Sequence, residues 1–597
     1  MNVQVPPSAP VQKIAQEPTA PDVTGLNLYA IDKSLQDVLR LRLAPDLLAH
    51  IEPHLQALGA RVASDLDANA RLADRHPPVL HHRDRHGRDN QWIEFHPAYR
   101  ALEQAGFGDF GLAAMSHRGG VLGWSEPLPP IVKYTVTYLF AETEFGLLCP
   151  INMTDSLTRV LRRFADDAIL QRYLPGLTSL DPEVALQGAM FMTEKAGGSD
   201  VGAVETRAWQ DGDRWRLDGE KWFCSNADAD LALVLARPEG AKHGTRGLGL
   251  FLLPRVLPDG SRNSYRIVRL KDKLGTRSMA SGEVVFDGAQ AWLVGDIDRG
   301  FVQMAEMVNA SRLSNAVRSA GLMRRAFLEA REVCRHRVAF GRRLMDFPLQ
   351  RRQLVKILLS AEQALTMAMY TATVLDAADR GDSGAAKEVR LLTPLLKFRA
   401  CRDARKVTGD AMEIRGGCGY IEDFVEARLV RDAHLGSIWE GTSNIVAIDA
   451  IERAVGRDGA DAALEQSLRR QLSAAAALPK QLRTPLEGLV SRAFGFARDV
   501  ANAKDQSAMR RAASGLYNVT SAVLLAGEGS RLGETQGDWS RAALAALVVR
   551  HKLVASDPLA DWSSAGIAEK GALIEGTPIA AQECEHFIAP LGLADAA

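Results

Sequence analysis

Residues 437–444 read SIWEGTSN, one carboxylate between two bulky apolar side chains and a run of small hydrogen-bonding residues. A carboxylate beside side chains such as Ile438 and Trp439 loses solvation, which is one way a protein tunes a general base. Four stretches upstream could serve the same chemistry. In MFMTEKAGGSDVG (190–202) an apolar run ends at Thr193-Glu194 and passes into Gly197-Gly198-Ser199-Asp200. Glycines there admit a ligand close to backbone N–H groups, and the Thr193 and Ser199 hydroxyls can donate to it. In KWFCSNADAD (221–230) two aromatics beside Ser225 suit a flat aromatic ligand with a polar edge. In RHRVAFGRRLMDFPLQ (335–350) Arg337 stands three residues before Phe340-Gly341. That spacing predicts a helix closing on a glycine, with a cation set for a phosphate or carboxylate. In MEIRGGCGY (412–420) Gly416-Gly417-x-Gly419-Tyr420 follows a helical run. Taken singly, each has a plain alternative: a glycine-rich turn, core aromatics, a solvated basic helix end, a connection.

Their order and spacing resemble the acyl-CoA dehydrogenase family. The pattern T-E-x-x-x-G-S-D is Thr193 to Asp200, K-x-x-x-[ST] is Lys221 to Ser225, and K-L-G-x-R-S is Lys273 to Ser278. R-x-x-F-G is Arg337 to Gly341, G-G-x-G-Y is Gly416 to Tyr420, and E-G-T is Glu440 to Thr442. The resemblance covers about residues 120 to 455. CPINMTDS, LPDGSRN and RLKDKLGTRSMAS, with a long helical tail, narrow it to the AidB-like branch, associated with the adaptive response to DNA alkylation.

The resemblance implies an α+β fold in which FAD lies between a β domain and two helical domains, in a homotetramer. Met192 and Thr193 would lie against the flavin, with Gly198 and Ser199 near its ribityl and phosphate portion. Phe223 stands where most relatives have Trp, and Ser225 where they have Thr. Arg337 and Phe340 would reach the FAD of a neighbouring subunit, with Arg337 at the pyrophosphate. Gln350, Gly416, Gly417, Thr442 and Asn444 complete the implied cofactor neighbours. Glu440 matches the catalytic base, which takes the α-proton of an acyl thioester while the β-hydride passes to flavin N5. Its backbone N–H and a ribityl hydroxyl would polarise the thioester carbonyl. Arg312 matches a helix arginine near the base, and Trp439 and Tyr420 would line the substrate pocket. An electron-transfer flavoprotein is the implied acceptor. The sequence departs from the pattern at Pro348, where a Gln is usual and Gln350 follows two residues later, at Glu413 before the glycines, and at Trp439, where Tyr is common.

The rest of the chain must position these residues. From 25 to 185 apolar residues recur at spacings of three and four, predicting a helical domain. One stretch in it, LHHRDRHGRDNQWIEFHPA (80–98), holds four of the 13 histidines. With Arg and Asp interleaved and no helical His pair, it reads as a solvated turn and not a metal site. From 186 to 295 short β-branched and aromatic runs alternate with turn residues, and Asp211-Gly212 marks a hairpin. Strands that follow strands predict an antiparallel domain, and no G-x-G-x-x-G is present. Helices return over 296–455, followed by a helical extension over 456–597.

The net charge of the 597 residues is -1, which gives no global electrostatic reason for a nucleic-acid or membrane partner. The tail carries 16 Lys+Arg and 17 Asp+Glu between 451 and 597, a poor match to phosphate-driven binding. An oligomerisation or pocket-covering role for it is therefore favoured over duplex DNA binding, which stays as the alternative reading. An acyl-CoA oxidase is a third, its peroxisomal form disfavoured by a chain ending in GLADAA. Six scattered cysteines without C-x-x-C read as reduced thiols in a cytoplasmic protein with no zinc site. No apolar run approaches membrane-span length. The Pro-, Gln- and Ala-rich residues 1–24 read as a disordered arm without a secretory signal.

Overall fold

The structure, a computed structural model, describes residues 21–555 and 567–591. Residues 1–20 of the expected arm lie outside the described residues. Residues 21–24 do not belong to such an arm: Val23 is fully buried, and the Pro21 carbonyl accepts from Arg415 at 2.8 Å.

A helical N-terminal region includes α1 (Lys33–Arg42), α2 (Pro130–Ala141) and α3 (Leu148–Phe164). Nearly every residue of α2 and α3 is buried, because α3 sits between the sheet and the C-terminal bundle and α2 packs against that bundle beside it. The histidine-rich stretch is a hairpin and not merely a turn, with β1 (Val79–Arg83) paired antiparallel to β2 (Asp89–Glu94). Trp92 and His81 stack across it at 4.3 Å, a cross-strand pair that favours the strand state over a solvated loop.

The middle region is a seven-stranded sheet ordered β3-β5-β4-β6-β7-β9-β8. Its strands are β3 (Gly188–Phe191), β4 (Arg207–Asp211), β5 (Arg214–Ser225), β6 (Leu231–Pro238), β7 (Gly249–Pro254), β8 (Tyr265–Leu270) and β9 (Ser281–Leu293). Asp211 pairs with Arg214 across the expected two-residue turn, and Gly212 supplies its positive φ of 66°. Most pairings are antiparallel, but β3 and β4 each run parallel to β6. A parallel pair needs a long crossover, which the intervening strands provide here; runs of apolar residues do not reveal such pairings. The sheet holds its own small core, with Phe191, Leu217, Val234, Phe251 and Phe286 at its centre.

The C-terminal bundle is built on α4 (Gly300–His336), α5 (Pro348–Asp379) and α6 (Ser383–Arg415). Pro348 starts α5, where its missing N–H costs nothing, and the Asp382 carboxylate caps α6 by accepting from Gly384 and Ala385. Gly416, with φ of 74°, ends α6. Next come α7 (Val425–Gly436) and α8 (Ser443–Ile448), which flank the SIWEGTSN loop. The extension includes α9 (Asp461–Ala474), α10 (Lys480–Ala503), α11 (Gln506–Gln536) and α12 (Ser540–Val548). It packs on α5, α6 and α8 and is fixed by buried ion pairs. Arg541 reaches Glu528 at 2.7 Å and Glu362 at 3.1 Å, and Arg324 of α4 takes the other Glu362 oxygen at 2.7 Å. Among the described residues no helix is long and apolar enough to cross a membrane.

Candidate active site

Glu440 is held by two helices, α4 and α6. Ser311 Oγ donates to Oε1 at 2.6 Å, and Asn315 Nδ2 donates to Oε2 at 2.9 Å. These donors are four residues apart on one face of α4. Glu440 itself adopts φ of 52°, a region that L side chains rarely occupy and that the surroundings must enforce. The enforcement comes from two cations. Arg312 Nε donates to the Glu440 carbonyl at 3.0 Å, and Lys397 Nζ of α6 donates to the carbonyls of Trp439 at 2.8 Å and Gly441 at 2.6 Å. Arg312 is fixed in turn by Asp449 at 2.7 Å, which Arg390 also holds at 2.9 Å. Burial pushes the Asp449 carboxyl up, but the two guanidiniums outweigh it and keep it below the ordinary range. Burial also pulls the Lys397 ammonium below its ordinary range.

The β domain reaches this corner through α3. Thr193 and Trp222 are joined by an N–H···O bond of 2.8 Å, and Phe191 pairs with Cys224, so the stretches 190–202 and 221–230 lie side by side. Buried Lys221 and Glu194 tie them together at 2.6 Å, and Thr206 and the Glu205 amide also donate to that carboxylate. Burial raises the Glu194 carboxyl, but Lys221 and these donors hold it below the ordinary range. Burial pulls Lys221 down despite its partner. Burial pushes the Cys149 thiol of α3 up to about 11. The KLGTRS stretch docks against α7: the Thr276 amide donates to Asp432 at 2.6 Å, and a side chain at Gly275 would strike Arg431. Burial pushes the Asp432 carboxyl up to about 7. Trp439 stacks on Phe145 at 5.9 Å, on the other side of the loop.

Of the residues singled out in the sequence, Arg312, Trp439 and Glu440 share one corner through Arg312 Nε and Lys397, and Thr193 lies beside Trp222 on the β-domain side. Arg312 meets the base through its carbonyl and not through its carboxylate. Gly198 and Ser199 lie exposed on the loop after β3, and Phe223 is 53% exposed on β5. Thr442 and Asn444 are exposed at the start of α8. A second group gathers at the far end of α4. Arg337 Nη1 donates to the Arg415 carbonyl at 3.3 Å and lies beside Gly416, with Gly417 next in an open turn. Gln350 contacts Cys334, also at this end.

Two expectations change at this end. The helix stops at His336, before Arg337, and Gly341 belongs to a hairpin of β10 (Val338–Ala339) and β11 (Arg342–Arg343). Phe340 and Gly341 both have positive φ, 52° and 77°, as a two-residue turn of this kind requires. Tyr420 does not line a pocket with Trp439 in the same chain. It follows α6, whose 18-residue stretch from Lys397 to Arg415 spans about 27 Å. Sequence reasoning missed Ser311, Asn315 and Lys397. Their signal was polar residues inside buried helical runs, SRLSNA and TPLLKFRA, where an unpaired polar group is costly. Among the described residues no cluster of three or more His, Cys, Asp or Glu side chains could hold a metal ion.

A carboxylate on a strained, doubly supported turn, beside a helical bundle and a β domain, is an arrangement suited to a general base. Residues 298–456 match the acyl-CoA dehydrogenase C-terminal domain, 189–289 its middle domain, and 19–182 the N-terminal domain of the adaptive response protein AidB. The putative acyl-CoA dehydrogenase AidB of Escherichia coli (strain K12) is 36% identical over 78% of this chain and 86% of its own. Acyl-CoA dehydrogenase family member 11 of Caenorhabditis elegans is 33% identical over 72% of this chain and 71% of its own. A crystal structure of Caenorhabditis elegans ACDH-11 in complex with C11-CoA superposes with a TM-score of 0.82 at 29% identity, covering 92% of this chain and 94% of that one. The chain belongs to the acyl-CoA dehydrogenase family, on its AidB-like branch.

Proposed function

We propose that the protein is an FAD-dependent acyl-CoA dehydrogenase that introduces an α,β double bond into an acyl thioester. The observation that carries this is Glu440, whose backbone is forced into position by Arg312 and Lys397 and whose carboxylate is aimed by Ser311 and Asn315. The C11-CoA bound by ACDH-11 supports the substrate class.

The residues fit FAD. Nothing but Thr193 Cγ2 approaches the space beside Gly198, Phe223 offers an exposed aromatic face, and Gly416-Gly417 leaves room beside the Arg337 guanidinium. Met192, Thr193, Gly198, Ser199, Phe223 and Ser225 would hold the flavin half, with Thr442 and Asn444 close to it. Arg337, Phe340, Gln350, Gly416 and Gly417 would hold the pyrophosphate and adenine half in a neighbouring subunit. When bound, FAD supplies the acceptor for the β-hydride. Glu440 takes the α-proton, its backbone N–H polarises the thioester carbonyl, and Arg312 and Lys397 position the loop. An electron-transfer flavoprotein is the acceptor in this reading, and six cysteines without a disulfide suit a reducing cytoplasm.

The tail favours this reading over DNA binding. Three of its arginines pair with carboxylates of the tail itself, Arg469 with Glu465, Arg498 with Asp461 and Glu465, and Arg541 with Glu528. Anaerobic titration of the yellow holoprotein with a panel of acyl-CoAs tests the proposal. Bleaching by at least one member is the expected result, and bleaching by none overturns it. Oxygen uptake during turnover would convert the reading to an oxidase.

A further inference from the structure

One turn beyond the partners of Glu440, α4 carries a buried cation that forms no ion pair among the described residues. Ser311, Asn315 and Arg318 stand at i, i+4 and i+7, on one stripe of the helix. Arg318 is 0% exposed. Its Nε and Nη1 make only long contacts to the carbonyls of Ser314 (3.4 Å) and Phe145 (3.5 Å), and Nη2 has no partner. Among the described residues it forms no ion pair, whereas the other fully buried arginines of comparable size, Arg325, Arg415 and Arg541, each meet a carboxylate. The guanidinium lies 5.0 Å from the Phe145 ring and 4.9 Å from the Trp439 ring. Cation–π attraction offsets part of its desolvation but satisfies none of its N–H donors. Two more buried donors here lack acceptors: Trp439 Nε1, and Asn152 Nδ2 in a small cavity that Ser314 also lines.

An alkyl chain laid along this stripe would leave the guanidinium buried and unpaired. A carboxylate would satisfy both the charge and the N–H geometry. We propose that Arg318 is a specificity-determining residue that binds a carboxylate at the far end of a short acyl group, so that the preferred substrates are ω-carboxylated acyl thioesters. This rests on Glu440 being the base of an acyl-thioester dehydrogenase. Asn315 and Arg318 are three residues apart, about 4.5 Å along the axis. Carbons reacting at Glu440 therefore place the end of a short chain, not a long one, at the guanidinium.

The test uses holoprotein and CoA thioethers that cannot be dehydrogenated, one series ending in a methyl group and one in a carboxylate, with binding read by calorimetry. The same pairs of thioesters are compared by flavin bleaching. The wild type is expected to bind the carboxylated member about tenfold or more tighter. Arg318→Met should abolish or invert that preference, and Arg318→Lys should keep part of it. Flavin content and Tm show whether each variant is folded. Equal binding of the two series, or a preference that survives Arg318→Met, overturns the inference while bleaching by methyl-terminated acyl-CoAs leaves the dehydrogenase reading standing. If neither series binds or bleaches, that reading falls and this one with it.

Discussion

At the Ser311–Asn315 end of α4 the chain satisfies itself. Both Glu440 oxygens, its carbonyl and the carbonyls on either side of it have donors within the same subunit. At the other end, Arg337 is exposed with one carbonyl contact, Phe340 is 96% exposed, Tyr420 82% and Leu349 81%. Residues 312 and 337 are separated by about 37 Å of helix, far beyond the reach of a five-carbon ribityl chain. Large apolar side chains left bare around a cation mark a surface that needs a partner. On the proposed reading, one end of α4 is a finished half-site for the reacting atoms, and the other is a half-site for the cofactor of a neighbouring copy.

The largest effect that could break this contrast is loss of the base. Glu440→Gln should lower kcat by about 10²–10⁴-fold with an unchanged Tm, since the amide keeps the shape of the carboxylate. A variant with near-normal turnover would place the base elsewhere. Lys397→Met should cost about 10²-fold in kcat, because the loop that aims Glu440 loses two of its supports. If kcat holds, the turn at φ of 52° maintains itself.

At the exposed end the prediction is of another kind. Arg337→Ala should weaken FAD binding by about ten- to a hundredfold, read as flavin fluorescence released on dilution, while the Tm of the apoprotein stays the same. A fall in apoprotein Tm would make Arg337 a structural residue.

Behind the base loop, Asp432 titrates at about 7 when folded against an ordinary 3.8. A carboxyl raised in this way loses stability for the fold as pH rises from its unfolded value near 3.8 to its folded value near 7, above which the loss is complete. Asp432→Asn escapes the loss. Its stability relative to the wild type should therefore rise between pH 5 and pH 8, by about 2–3 kcal/mol in denaturant unfolding. A constant difference across that range would contradict the assignment.

The contrast explains what could be read from the sequence. Glu440, Thr193 and Arg337 sit in motifs whose residues act through local spacing, so order and spacing located them. Ser311, Asn315 and Lys397 act through tertiary contacts made from within long helices, and a polar residue in an apolar helical run does not say which group it meets. The parallel pairings of β6 and the hairpin at 79–94 were missed for a related reason, since pairing partners are decided by register between strands. Asp211-Gly212 was legible because a two-residue turn is a local device. Arg318 looked like one more arginine on a helix until burial and the lack of an ion pair set it apart.

The central claim is that one active site draws its base from one subunit and its pyrophosphate arginine from another. Mixed refolding of Glu440→Gln subunits with Arg337→Ala subunits tests it most directly. Each variant assembled alone is impaired at every site. In hybrids, an Arg337→Ala subunit supplies an intact Glu440 and a Glu440→Gln neighbour an intact Arg337. The account predicts that turnover and tight FAD binding return together in a substantial fraction of hybrid sites. Activity no greater than the average of the two parents would mean that both groups serve the cofactor from a single chain, contradicting the account.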